Sequence, residues 1–192
     1  MTDSPTFTAI AFSGSLRSDS SNTGLVNMAA RLAPAELRVT VVNDTVFDLP
    51  FYNADLEEAV PTEVQRWRDL VMATDAVIIG MPEYNFLPSA VAKNAIDWAS
   101  RPYGGQALVG KVIALLTSGG KGGGGKVQEA IGPILGLLGN VVVDEPHVRV
   151  PLGTNRIQAD GTTTDPDVEA AVLAKLDGVV RALRTASPDA AG

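Results

Sequence analysis

Residues 76–81 read AVIIGM, six positions in a row without a polar side chain. A strand this apolar must be covered on both faces, which is the situation of a parallel sheet sandwiched between helices. Similar runs recur at regular intervals: TFTAIAFS at 6–13, LRVTVVN at 37–43, KVIALLTS at 111–118 and a shorter one near 140–143. Between them the apolar period changes from continuous to helical. TGLVNMAARLA places Leu25, Met28, Ala29 and Leu32 on one helix face, and PTEVQRWRDLVMATD, opening with Pro61 at a first-turn position, does the same with Val64, Trp67, Leu70 and Val71. Further helices are expected near 89–100, 126–138 and 167–186.

Five strands alternating with helices, joined by right-handed crossovers, give an α/β doubly wound sheet. The arrangement expected is a flavodoxin-like five-stranded parallel sheet of order 2-1-3-4-5 with helices on both faces. The 192 residues suit a single domain, with a core over about 6–186 and a disordered tail at 187–192. In such sheets ligands bind beyond the carboxyl ends of the strands, where the strand order reverses. Three loops rich in Gly, Ser and Pro fall there, after the first, third and fourth strands.

The first of these, FSGSLRSDSSNTGL at 12–25, sets hydroxyls and backbone amides at the positive end of a helix dipole, with Arg17 adding a charged donor. One residue would suffice to cap the helix, so the surplus points to a phosphate. With glycines only at 14 and 24 the loop lacks the G-x-G-x-x-G spacing of a dinucleotide site, which favours a monophosphate. In the second loop, Pro82 ends the strand, Tyr84 offers an aromatic face and Asn85 a donor and an acceptor, a setting for a planar heterocycle. The third loop contains GKGGGGK at 120–126, which imitates a Walker A motif. Val127 stands where Mg²⁺ binding needs Ser or Thr, and the loop follows the fourth strand rather than the first, so glycines opening the backbone to the edge of a flat ring are the better reading.

Composition removes the other classes. A net charge of -7 opposes a general nucleic-acid or anionic-membrane surface. The absence of cysteine excludes disulfides, thiolate metal sites and a cysteine nucleophile, and the single His147 makes neither a metal site nor a triad. No secretory segment or membrane span is read at the N-terminus, so a cytoplasmic protein is expected.

GSLRSDSSN, PEYN, KNAIDWASRP and GGKGG, in this order and at these strand ends, together resemble the NAD(P)H-dependent FMN reductases, a flavodoxin-like family that includes quinone, azo-dye and chromate reductases. LPFYNADLE at 49–57 resembles the family's stretch before its second helix. The resemblance spans roughly residues 6–143. It implies an FMN cofactor, NADPH or NADH as hydride donor, a small acceptor such as a flavin, quinone, azo dye or metal oxyanion, and a homodimer or homotetramer. Carried over by motif, Ser15, Arg17, Ser20, Ser21 and Asn22 match the phosphate loop. Pro82, Glu83, Tyr84 and Asn85 match the segment against the isoalloxazine, and Ser118, Gly119 and Gly120 the third loop. The chain departs from the family at Ser89, where Gly or Ala usually follows the proline, and at Ala92, where leucine is usual.

No catalytic side chain is assigned, because the flavin carries the chemistry. Lys93 and Asp97 read as an i,i+4 ion pair, and Trp98 as an anchor of the subunit interface. The alternatives are a flavodoxin-type electron carrier and a flavin-binding regulatory protein without nicotinamide turnover.

Overall fold

In a computed structural model, residues 7–186 are described. The expected tail at 187–192 lies outside them. Five parallel strands, β1 (Phe7–Ser13), β2 (Leu37–Val41), β3 (Ala76–Gly80), β4 (Val112–Gly119) and β5 (Val141–Pro151), lie in the order β2-β1-β3-β4-β5, the order expected from the sequence.

Six helices cover the sheet: α1 (Ser21–Leu32), the short α2 (Asn43–Phe47), α3 (Thr62–Met72), α4 (Ala90–Ala99), α5 (Gly125–Leu137) and α6 (Pro166–Ala186). Alternation along the strands sorts the core into two layers. Ala76 and Ile78 join α1 and α6 on one face, through Leu25, Met28, Val172 and Leu176. Val77 and Ile79 join α3, α4 and α5 on the other, through Trp67, Ala95, Trp98 and Ile131.

Two features differ from the sequence reading. The last strand continues to Pro151 instead of ending near 143. Its continuation passes through a register irregularity, with Ala114 opposite Val143 but Leu116 opposite Val148. Lys175 of α6, wholly buried, reaches across with its ammonium group and donates to the carbonyls of Val143 and Asp144, both at 2.8 Å, groups the irregular ladder leaves for a side chain to satisfy. The second difference is a two-residue hairpin after β3, pairing Glu83–Tyr84 with Leu87–Pro88. Its turn residues Asn85 and Phe86 have φ of 51° and 68°, the left-handed pair a tight two-residue turn requires.

Trp98 is not a surface anchor. It is 1% exposed, donates its indole N–H to the Pro50 carbonyl at 2.8 Å and meets the Tyr52 ring edge-on. Together with Asn94, which bonds both Pro50 and Tyr52, it fixes the loop after α2 onto α4. The exposed side of α4 carries the Lys93–Asp97 pair, at 2.5 Å and i,i+4 as expected. Among the described residues no helix is long and apolar enough to cross a membrane.

Candidate functional site

The loops after β1, β3 and β4 meet at the carboxyl end of the sheet, and side chains bond each to the others. The first loop turns at Gly14, where an added Cβ would stand 2.6 Å from the Ser89 hydroxyl and 2.8 Å from the Ala92 Cβ. Ser89 caps α4 and also donates to the Gly14 carbonyl at 2.8 Å. The two positions noted above as departures thus face the first loop: the serine supplies a bond, and the alanine keeps room for the close approach.

The second loop reaches the third through Glu83. Helix α5 starts at a glycine and has no side-chain cap of its own, and the Glu83 carboxylate accepts from the Val127 amide in its first turn at 3.0 Å. The first loop reaches β4 through Asn22 and Ser21. The Asn22 side-chain amide donates to the Ser118 carbonyl at 2.9 Å and accepts from the Ser118 amide at 3.0 Å, and the Ser21 and Ser118 hydroxyls lie 2.8 Å apart.

The candidate residues therefore divide. Ser20 caps α1 through the Thr23 amide, while Ser21, Asn22, Glu83 and Ser118 hold elements together. Sequence reasoning assigned none of these cross-links, whose partners stand 44 or more positions apart, and gave Ser89 no role. Ser15 is buried, its amide bonded to the Ser13 hydroxyl. Arg17 is exposed, paired only with Asp19 at 3.0 Å, and the guanidinium holds the Asp19 carboxyl below its usual range by hydrogen bonding and charge. Pro82 is buried beside Gly14, and Tyr84 stands 52% exposed on the hairpin next to the outward-facing Asn85. Gly119 and Gly120 begin the third loop, with open space where a Gly120 side chain would be.

What this leaves available is backbone. Among the described residues the amides of Ser20, Ser21 and Asn22 at the start of α1 have no acceptor, although all three residues are buried. Three such amides at a helix N-terminus, with an arginine in the same loop, are an arrangement able to receive an anion. Leu16 on the first loop and Tyr84, Phe86 and Leu87 on the hairpin are exposed apolar side chains.

Lys126, the lysine of the Walker-like stretch, pairs with Glu129 one turn along α5 and is exposed. His147 lies part-buried on β5, 3.1 Å from the Glu145 carboxylate and 3.6 Å from that of Asp144, in a cavity it shares with Gln128, Glu129 and Arg149.

The sequence profile of the NADPH-dependent FMN reductase family matches residues 7–155. An NAD(P)H-dependent FMN reductase of Pseudomonas aeruginosa is 33% identical over 180 residues, covering 91% of this chain and 96% of that protein. A quinone reductase of Pseudomonas putida is 39% identical over 140 residues, 72% of each chain. Among solved structures, the flavoenzyme NAD(P)H:(acceptor) oxidoreductase FerB of Paracoccus denitrificans superposes with a TM-score of 0.79 at 33% identity, covering 91% of this chain and 98% of that one.

Proposed function

The chain belongs to the NADPH-dependent FMN reductase family and is an FMN-dependent NAD(P)H oxidoreductase, and from that premise we propose that it reduces a small, flat acceptor of the quinone class. NAD(P)H and a proton convert the quinone to its hydroquinone and leave NAD(P)⁺. When bound, FMN supplies the two-electron chemistry, so hydride transfer needs no protein acid or base.

The observation that carries the assignment of the cofactor pocket is the set of unpaired amides on Ser20, Ser21 and Asn22. They offer the phosphate three N–H donors on the helix dipole, with the Arg17 side chain within two residues of Asp19 and free to turn inward from a weak surface pair. Ser15 shapes the turn beneath them. The backbone from Pro82 to Asn85 and the Tyr84 ring receive the isoalloxazine, and the open amides of Gly120 and its neighbours meet the ring edge. Asn22, Ser21, Glu83 and Ser118 serve this pocket by holding its walls. The compact single-phosphate site fits FMN and offers no second pyrophosphate cradle. The exposed apolar side chains of Leu16, Tyr84 and Phe86 suit a flat, weakly polar acceptor, and the relatives named as quinone reductases support the same class.

The test is an anaerobic panel of quinones, free flavin, an azo dye and chromate, each with NADH and with NADPH. Quinone turnover exceeding the others supports the reading; flavin reduction that no small acceptor reoxidises would return the protein to the electron-carrier class. Titration of apo-protein with FMN and FAD tests the pocket, and tighter binding of FAD would overturn it.

A homodimer is part of the same proposal. Between α4 and α5 runs a groove of about 430 Å³, with Leu137, Tyr103, Val109 and Ile134 exposed along it. An apolar strip of this kind on a soluble domain suits a self-complementary contact. Light scattering at micromolar concentration checks it, a monomer mass being the adverse result. A cytoplasmic location is proposed because the reductant, NAD(P)H, is an intracellular metabolite.

A further inference from the structure

We propose that the Asn22 side chain is a positioning group: it stands in for the residue that β3 lacks opposite the end of β4 and thereby fixes the phosphate-binding amides of α1 relative to the ring-edge loop, rather than binding phosphate itself. The inference rests on the placement of the phosphate at α1 given above.

The reason lies in strand lengths. β3 pairs with β4 only as far as Gly80 opposite Leu116, with the Met81 amide closing the ladder on the Leu116 carbonyl. β4 runs on for three residues. Ser118 is two beyond Leu116, so its amide and carbonyl face the same side, toward a strand that has ended. A carboxamide carries the donor and acceptor of a peptide unit, and that of Asn22 takes up both Ser118 groups at 2.9 and 3.0 Å.

Every contact around this pairing is fitted to it. Gly80 has no Cβ where one would stand 2.6 Å from the Asn22 carbonyl oxygen, so α1 can settle over the end of β3. The Ser21–Ser118 hydroxyl pair adds a third bond, and Gly153, from the segment after β5, packs so closely that a Cβ there would lie 1.8 Å from the Ser118 hydroxyl. That segment continues along α1, accepting from Asn27 at Ala159 and from Arg31 at Gly161. Both polar side-chain atoms of Asn22 are engaged by Ser118, and this pairing, rather than the one remaining Nδ2 hydrogen, fixes where the carboxamide lies.

A phosphate ligand and a positioning residue differ in what they do to a flavin without a phosphate. Apo-protein carrying Asn22→Ala is titrated with FMN and with riboflavin, beside Arg17→Ala. Asn22→Ala is expected to weaken both flavins by a common factor of about ten, the scale of two lost hydrogen bonds, leaving the FMN-to-riboflavin ratio as in the parent. Arg17→Ala is expected to lower that ratio. Selective loss of FMN with Asn22→Ala would make Asn22 a phosphate ligand and overturn the proposal, as would unchanged affinity for both. An unaltered ratio with Arg17→Ala would instead count against the phosphate site.

Amide exchange in the apo-protein adds a readout free of ligand: the Ser118 N–H is protected in the parent and exposed in the variant. Asn22→Asp keeps the acceptor for that N–H while removing the donor. It should hold Ser118 protection between the two, and protection no better than in Asn22→Ala would count against the pairing.

Discussion

Arg17 and Asp19 face each other at 3.0 Å across the tip of the first loop, both exposed. The guanidinium that would hold a phosphate is therefore shared with a carboxylate two residues away. Asp19→Asn is expected to tighten FMN binding by about 1.5- to 5-fold, the range of an exposed ion pair, and the gain should vanish in an Arg17→Ala background. Isothermal titration of the four proteins checks it. A gain that survives without Arg17 would mean that Asp19 acts on the phosphate by general repulsion alone.

The Glu83–Val127 bond predicts a stability effect at a residue that motif matching places at the cofactor. Glu83→Ala leaves α5 without a cap, and denaturant unfolding of the apo-protein should show a loss of about 0.5–2 kcal/mol, the range for cap removal. A variant as stable as the parent would show that the Val127 amide finds another acceptor.

The fold was legible because β1, β3 and β4 are almost wholly apolar and the helices between them keep a clean period. The end of β5 was hidden by its composition: DEPHVRVP mixes two acids, two prolines, a histidine and an arginine, and the carbonyls at its irregularity are met by Lys175, far along the chain. The hairpin at 83–88 escaped because its turn is Asn85-Phe86, without the glycine that usually marks such turns. At the site, the three loops and the excess of donors could be read, but the allocation of each donor could not. Asn22 and Ser118 read as members of two separate cofactor loops, and nothing local shows that the fold pairs them across 96 positions of chain. Trp98 was misplaced for a related reason, since periodicity tells that a tryptophan packs but not whether against its own chain or another.

Lys175 makes stability depend on pH in an alkaline window. Burial is the main cause that brings its ammonium from an ordinary value of 10.5 down to about 8, against the weaker pull of Asp144 and Glu145. Below pH 8 folded and unfolded chains both carry the proton, and the penalty for burying the charge is present in full. Between about 8 and 10.5 the unfolded chain keeps a proton that the folded one has released, so stability rises with pH, by at most about 1.4 kcal/mol per unit. The difference in unfolding free energy between the parent and Lys175→Met should therefore move in the parent's favour from pH 8 to 10. A difference that stays level would place the lysine's folded value near its ordinary one.

The bonds among the three loops also bear on kinetics. Ser89 to Gly14, Glu83 to Val127 and Asn22 to Ser118 tie the three loops to the end of the sheet, and on the proposed placement of FMN one face of the ring lies against them while the face beside the exposed Leu16, Tyr84 and Phe86 is left for substrates. Donor and acceptor must each bring a reacting atom to within about 3–3.5 Å of the same centre, and one approach admits one of them at a time. Ping-pong kinetics are expected, with oxidised nicotinamide leaving before the acceptor enters, and initial rates over a grid of both substrates should give parallel double-reciprocal lines. Tyr84→Ala, which removes an aromatic ring proposed to receive the isoalloxazine, should slow both half-reactions in stopped-flow traces, whereas Lys126→Ala, whose side chain reaches Glu129, should leave both nearly unchanged. Intersecting lines would require both substrates to be bound together, and the proposal that a single flavin face is open to them would be abandoned.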